Sequence, residues 1–211
     1  MYTPRAFAEN DLAGLDWLLA RDPFATLVTC GADGLPLATH LPVLYARDGG
    51  TVALEGHWAR PNPQATHAGP ALLIVHGPHH YISADWYPDK AAMARVPTWN
   101  YAAAHLYGTL QPLHDEAGLA SIVSRLGERF EPGVGGRWRY DPDDPRERGQ
   151  LRGIVGFRFA AERIELKFKL NQNHPTANVE SVIAGLRDLP GEAAAEVAAL
   201  MADRLARRGA G

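Results

Sequence analysis

Leucines at positions 12, 15, 18 and 19 recur at helical spacing between Asn10 and Arg21, and Asp22-Pro23 ends the pattern. From Phe24 the period changes. The β-branched run Phe24-Ala25-Thr26-Leu27-Val28-Thr29-Cys30 predicts a strand, and Asp33-Gly34 beyond it predicts a hairpin turn, because both residues tolerate positive φ. The partner strand is expected over Leu37 to Tyr45. Asp48-Gly49-Gly50 closes it before a third strand, Thr51 to Gly56, so two consecutive hairpins predict an antiparallel meander. The polar, proline-rich loop Arg60-Pro61-Asn62-Pro63-Gln64 leads to a strand over Ala71 to Val75. Gly77-Pro78 is expected to turn the chain into Tyr81-Ile82-Ser83, and a further strand is expected over Trp99 to Gln111.

Leu119, Ile122, Val123 and Leu126 return to helical spacing and predict a helix over Glu116 to Phe130. The Pro-, Gly- and Asp-rich stretch Pro132 to Gly149 reads as a loop. Strands resume at Ile154 to Phe159 and at Ile164 to Leu170. In the latter, strict alternation puts Ile164, Leu166, Phe168 and Leu170 on one face and Lys167 and Lys169 on the other. Two helices, about Ala177 to Leu189 and Glu192 to Arg207, complete the chain. Short strands punctuated by turn signals, with helices towards the ends, predict one α+β domain over residues 1–211, its sheet a barrel or sandwich and its C-terminal helical extension at about 177–207.

Composition narrows the class. Of 211 residues, 46% are apolar and 21% charged, as in an ordinary globular domain, and the formal charge of −3 argues against a nucleic-acid coat. The single cysteine, Cys30, has no internal disulfide partner. No apolar run approaches the ~18 residues of a membrane span. Met1 to Arg5 lacks the apolar stretch of a secretory signal, so a cytoplasmic protein without a membrane partner is expected. Gly133-Val134-Gly135-Gly136 follows a helix rather than a strand, which speaks against a phosphate-binding loop. His76, His79 and His80 flank Gly77-Pro78 without a ligand set around them, and they read as strand-end histidines rather than a metal site.

Four polar clusters carry candidate chemistry. The first is Thr39-His40-Leu41-Pro42. The second is Gly56-His57-Trp58-Ala59-Arg60-Pro61-Asn62-Pro63-Gln64. The third is Pro97-Thr98-Trp99-Asn100-Tyr101, with His105 four residues on. Each joins flat rings to amides and hydroxyls, the lining a flat heteroaromatic ligand needs. The fourth is Lys167-Phe168-Lys169-Leu170-Asn171-Gln172-Asn173-His174, where a lysine followed by amides and an imidazole suits a phosphate, or simply marks a solvated strand edge.

In this order, the clusters resemble the PaiB family, described as FMN-binding negative transcriptional regulators. The resemblance runs from Met1-Tyr2-Thr3-Pro4 almost to the C-terminus. It passes through Ala38-Thr39-His40-Leu41-Pro42, Gly56-His57, Asn62-Pro63-Gln64 and Gly77-Pro78-His79 to Tyr81-Ile82-Ser83 and Trp86-Tyr87. It continues through Val96 to Tyr101, Gly153 to Phe157, Lys167 to Leu170 and Gln172-Asn173. The resemblance implies an antiparallel split β-barrel of the FMN-binding type with flanking and C-terminal helices. It also implies a homodimer with FMN between subunits, and DNA as a partner by the family's label alone. The implied FMN-binding residues are Thr39, His40, His57, Arg60, Asn62, Ser83, Trp99, Asn100, Tyr101, Lys169, Gln172 and Asn173, with no catalytic or metal-ligating residue. The chain departs from the family pattern at Ala84-Asp85, at Asn171 (usually serine) and at His174 (usually arginine). Besides a regulator, the pattern accommodates a flavin-dependent oxidoreductase, with His57 or His105 relaying a proton, or a barrel that has lost its cofactor.

Overall fold

The leucine stripe and the change of period at Phe24 set the first elements of the computed structural model, which describes residues 1–209. A two-residue strand β1 (Ala8–Glu9) precedes helix α1 (Ala13–Arg21), in which Leu15, Leu18 and Leu19 are fully buried. The Asp11 carboxylate accepts the Ala13 N–H at 2.9 Å, starting this helix three residues later than the periodicity alone predicts. Strands β2 (Phe24–Cys30) and β3 (Pro36–Pro42) form the expected hairpin, in register from Phe24 opposite Pro42 to Cys30 opposite Pro36. Gly34, at φ +78°, makes its turn.

The predicted strand over Leu37 to Tyr45 is in fact two. Pro42 has no N–H for a ladder, and buried Val43 gives its own to the Pro23 carbonyl at 3.0 Å, so β3 stops there. Strand β4 (Leu44–Asp48) then pairs with β5 (Thr51–Ala59). Strands β6 (Gly69–Ile82), β7 (Thr98–Leu113) and β8 (Ile154–Lys169) are long. The sheet order is β3-β2-β6-β7-β8-β5-β4, with β1 on β8, so β3 and β4 lie at opposite ends of the order instead of forming a meander. Gly77-Pro78 makes no turn. Proline's fixed φ is compatible with extended backbone, and β6 runs straight through both residues. The two strands expected between Ile154 and Leu170 are likewise one, because Ala160-Ala161-Glu162-Arg163 contains no turn-forming residue.

Helix α2 (Lys90–Met93) is short, and α3 (Glu116–Phe130) has the predicted bounds, capped by the Asp115 carboxylate on Gly118 N–H. The predicted loop over 132–149 contains a further helix, α4 (Pro145–Gln150). Its start carries a recognisable signal, since the Asp144 side chain caps it and Pro145 occupies the first turn. Helices α5 (Thr176–Arg187) and α6 (Glu192–Gly209) match the two expected at the C-terminal end. Among the described residues, no helix is long and apolar enough to cross a membrane.

The chain divides into two compact units. The first comprises Met1–Leu15, His76–Ala104 and the described residues from Glu165 onward, and the second comprises Asp16–Val75 and His105–Ile164. In the first, α5 and α6 bury Val179, Val182, Leu186, Val197 and Met201; of the face the alternation predicts, Leu166 and Phe168 at the end of β8 and Leu170 just beyond it are buried, and Ile164 is half-buried. Lys167 is buried as well. Its ammonium donates to the Tyr2 carbonyl at 3.0 Å and lies 5.1 Å from the Tyr101 ring centroid. In the second unit, Trp58 and Phe157 meet with ring centroids 4.7 Å apart, and Leu27, Leu54, Leu73, Leu106, Leu110 and Phe159 join them in the core. At Gly108 of β7 a Cβ would stand 2.0 Å from the Ala160 carbonyl oxygen, so only glycine permits that approach to β8.

Candidate functional site

In the second unit, β5 ends in the segment that carries the second polar cluster, and β3 carries the first. Asn62 joins them: its carboxamide nitrogen donates to Thr39 Oγ1 at 3.0 Å, and its carbonyl oxygen accepts the Gln64 N–H at 2.9 Å, capping the short turn Pro63–Thr66. Gln64, 1% exposed, is the hub behind them. Its Nε2 donates to the Leu27 carbonyl (3.0 Å), Thr29 Oγ1 (3.1 Å) and the Leu37 carbonyl (3.1 Å), and its Oε1 accepts the Trp58 indole N–H at 3.2 Å. His40 shares a hydrogen bond with Thr26 Oγ1 at 2.9 Å.

His57 differs from these. Its Nδ1 is buried and has no hydrogen-bond partner among the described residues, and burial pushes the imidazole's pKa below its usual value. The ring is therefore held neutral near pH 7. Arg60, exposed, donates through Nε to the Arg152 carbonyl and through Nη2 to the Ile154 carbonyl at 2.9 Å. It lines a cavity of about 350 Å³ with His114, Glu116, Arg148 and Arg152. Arg148 pairs with Glu116 at 2.8 Å, whereas Arg60 and Arg152 have no carboxylate partner among the described residues. The chemistry of these donors fits FMN: neutral hydrogen-bonding groups suit a ring edge, and cations beside a cavity suit a phosphate.

The other seven candidates lie in the first unit. Two of them serve the local backbone. Ser83 Oγ accepts the Asp85 N–H at 3.1 Å to cap the turn Ala84–Trp86. Gln172 accepts the Leu170 N–H at 2.7 Å and donates to the Phe168 carbonyl. Trp99 is 52% exposed, with the His79 and Tyr81 rings each 6.0 Å away. Asn100 is fully buried: its Nδ2 donates to Met201 Sδ at 3.3 Å, and its Oδ1 has no partner among the described residues. Tyr101 lies under the Lys167 ammonium. Lys169 donates to Thr98 Oγ1 and, at 2.8 Å, to the Trp99 carbonyl.

Lys169 and Asn173 line a second cavity, of about 280 Å³, with Tyr87, Arg95, Asn171 and His174. Sequence reasoning did not single out Arg95. It follows the end of α2 with no motif around it, and only the left-handed turn at Ala94 (φ +46°) directs the chain there. Arg95 thus places a permanent cation in the cavity that His174 also lines. Burial, and then the neighbouring Lys167, lower the Lys169 pKa. Burial and the cations Arg95 and Lys169 lower that of His174, against an opposing pull from Asp89.

A family model described as "Putative FMN-binding domain" matches residues 1–163. The chain is 32% identical over 212 residues to the protease synthase and sporulation protein PAI 2 of Bacillus subtilis (strain 168), covering 99% of this chain and 100% of that relative. Among solved structures, the FAD and heme binding protein from Mycobacterium smegmatis superposes with a TM-score of 0.59 at 21% identity, over 84% of this chain and 80% of that one. The flavocytochrome Anf3 from Azotobacter vinelandii gives 0.55 at 18% identity, over 79% and 72%. At these identities the two structures share the fold, in agreement with the expected α+β class with an antiparallel, split-barrel sheet. A flavin, FMN by the family's description, is the cofactor to which the family match points. With a family match over most of its length and a full-length relative at 32% identity, the chain belongs to the FMN-binding-domain family that includes the Bacillus PAI 2 protein, the PaiB family.

Proposed function

We propose that this chain binds FMN as a cytoplasmic homodimer and that flavin occupancy governs a negative regulatory role in transcription. The observation that supports FMN best is the polar set of the second unit. There Thr39 and Asn62 are locked together, His57 presents a buried ring nitrogen without a partner among the described residues, and Arg60 lines a cavity, all within the matched residues 1–163. Thr39, His40, Asn62 and His57 would meet the ring and ribityl polar atoms, and Arg60 the phosphate. Bound flavin supplies hydride and electron transfer, so the protein need only bind and orient it.

The first test is the absorption spectrum of purified protein after FMN is added and the excess removed. A retained flavin spectrum is expected, with retention at least about tenfold weaker in Arg60→Ala, the scale of one lost charge-assisted phosphate contact. A protein that never retains FMN overturns the reading.

The dimer is supported by exposed apolar side chains at Phe24 (53%), Leu35 (63%) and Leu37 (36%), on and beside the end strand β3. Sedimentation at micromolar concentration should give twice the chain mass. The regulatory role is supported by the resemblance to the PaiB family and by the name of the Bacillus relative, a protease synthase and sporulation protein. Direct contact with DNA has little support in the residues. Of the arginines near the C-terminal end, Arg204 is engaged by Glu9 at 2.5 Å and Arg207 by Asp203 at 2.9 Å. Sequence-selective binding in a gel shift at physiological salt would reverse that view.

A second reading, flavin-dependent oxidoreductase, is favoured by His57 itself. A neutral imidazole with an unengaged nitrogen can accept or hand over a proton near neutral pH. Turnover of NADH or NADPH with an electron acceptor, slowed in His57→Gln while FMN is still retained, would establish it.

A further inference from the structure

The end of β8 and the segment 93–98 enclose the 280 Å³ cavity of the first unit with an unusual charge balance. Arg95, Lys169 and His174 line it, and no lining residue is acidic. Asp89 answers Arg95 through a two-point contact, Nε to Oδ1 at 3.0 Å and Nη2 to Oδ2 at 2.6 Å, and Asn178 holds Asp89 in turn at 2.8 Å. Lys169 has no such partner. Its ammonium contacts only a hydroxyl and a carbonyl, and no carboxylate pairs with it among the described residues. A half-buried, unneutralised lysine is costly to fold around unless something binds it.

The cavity wall is also fixed in advance. The His174 ring stacks on Tyr87 with centroids 4.7 Å apart and planes 21° from parallel, and the Tyr87 hydroxyl accepts from Asn171 Nδ2 at 3.0 Å. Asn171 (φ +61°) and Ala94 (φ +46°), the non-glycine residues with positive φ, both line it. Guanidinium, ammonium, imidazole and the Thr98 hydroxyl offer more donors than the two oxygens of a carboxylate would engage. A phosphate, with three terminal oxygens, uses them. Val96 and Pro97 add an apolar flank.

We propose that this cavity binds the phosphate group of a small organic phosphomonoester, with Lys169, Arg95 and His174 on the phosphate and Val96 beside the organic part. The ligand is distinct from FMN. Every lining residue belongs to the first unit, and the inference does not rest on the flavin reading.

Calorimetric titration of the full chain with inorganic phosphate and with phenyl phosphate, each with and without saturating FMN, tests it. Saturable binding is expected for both, tighter for phenyl phosphate. It should be about tenfold weaker in Lys169→Met, weakened in His174→Phe (which retains the ring stack), and unchanged in Arg146→Ala, a surface arginine. Equal affinities for wild type and Lys169→Met overturn the proposal. So does displacement of phosphate by FMN, which would give the cavity to the flavin's own phosphate and leave the flavin reading standing. Saturable phosphate binding by a protein that never retains FMN has the opposite meaning: the cavity proposal holds and the flavin reading falls.

Discussion

Around the end of β5 the polar side chains satisfy one another, whereas around the cavity at the end of β8 they leave charge uncompensated. In the second unit Asn62 binds Thr39, His40 binds Thr26, and Gln64 joins Trp58 to the carbonyls of two strands. Among the described residues the buried His57 Nδ1 is left without a partner there, while Arg60 and Arg152, unpaired with a carboxylate, are exposed and have their charge answered by water. In the first unit Lys169 is held by a hydroxyl and a carbonyl, and its charge is unanswered. Satisfied buried networks fix shape, and removing one member strands the others. Unanswered cations oppose folding and are kept for what they bind. The two regions should therefore respond to mutation in opposite ways.

The largest effect is expected at Gln64. Replacement by leucine takes this partner from the Trp58 indole N–H and two strand carbonyls, at roughly 1 kcal/mol each once local relaxation is allowed, whereas the Thr29 hydroxyl keeps His67 Nδ1 at 2.7 Å. Gln64→Leu should thus lose about 3 kcal/mol in urea unfolding. A loss under about 1 kcal/mol would mean that water replaces the amide and the network is not structural.

An intermediate effect is expected at Asn171, a residue of the first unit that behaves like those of the second. It is 2% exposed, bonded to Tyr87, and adopts φ +61°, a conformation asparagine tolerates better than most residues. Asn171→Ser should cost about 1–2 kcal/mol through the lost hydrogen bond and the less tolerant backbone. Asn171→Gly, relieved of the backbone term, should cost less than the serine variant, and the reverse order would show that backbone conformation is irrelevant there. Lys169→Met should change stability by no more than about 0.5 kcal/mol, because the ammonium gives up solvation on folding and repels Lys167. A loss as large as that of Gln64→Leu would erase the contrast between the two regions.

How much of this was legible in the sequence follows from the range of the forces involved. Periodicity and turn chemistry are local, so α3, the β2–β3 hairpin and the two C-terminal helices were readable. Gly77-Pro78 misled because proline and glycine permit a turn without requiring one, and pairing of β6 with its neighbours keeps the chain extended. Val43 split a predicted strand through one long-range hydrogen bond to Pro23, which no window of sequence contains. The candidate residues were readable as polar groups among rings, but their roles were not. Ser83, Gln172 and Asn62 share one composition signal and all bond the backbone beside them, but Asn62 also reaches Thr39 across the fold, a contact no local pattern contains. Arg95 joined the first-unit cavity from a segment without a motif. Asn171 sits where the chain turns left-handed, a conformation visible only once φ is known.

The smallest expected effect separates the two regions by pH. His57 and His174 both have folded pKa values below the usual 6.5, the first through burial alone and the second through burial together with Arg95 and Lys169, opposed by Asp89. For such groups the unfolded chain binds more protons as pH falls below 6.5, so stability is complete above that value and declines beneath it. The carboxylates with lowered pKa values, Asp16, Glu55 and Asp89 among them, add the same sign of change only as pH falls below their ordinary values of 3.8 to 4.5. Between pH 6.5 and 4.5 the slope of stability therefore reports largely on histidine. His57→Gln, neutral throughout, should flatten that slope in part, with or without an added anion. Sulfate, a dianion across the whole window, should flatten the remainder by favouring protonated His174, facing Tyr87, Arg95, Asp89 and Lys169, and should do so in wild type but not in Lys169→Met. If sulfate flattens the slope equally in both, its action is general screening, and the first-unit cavity has no special hold on anions.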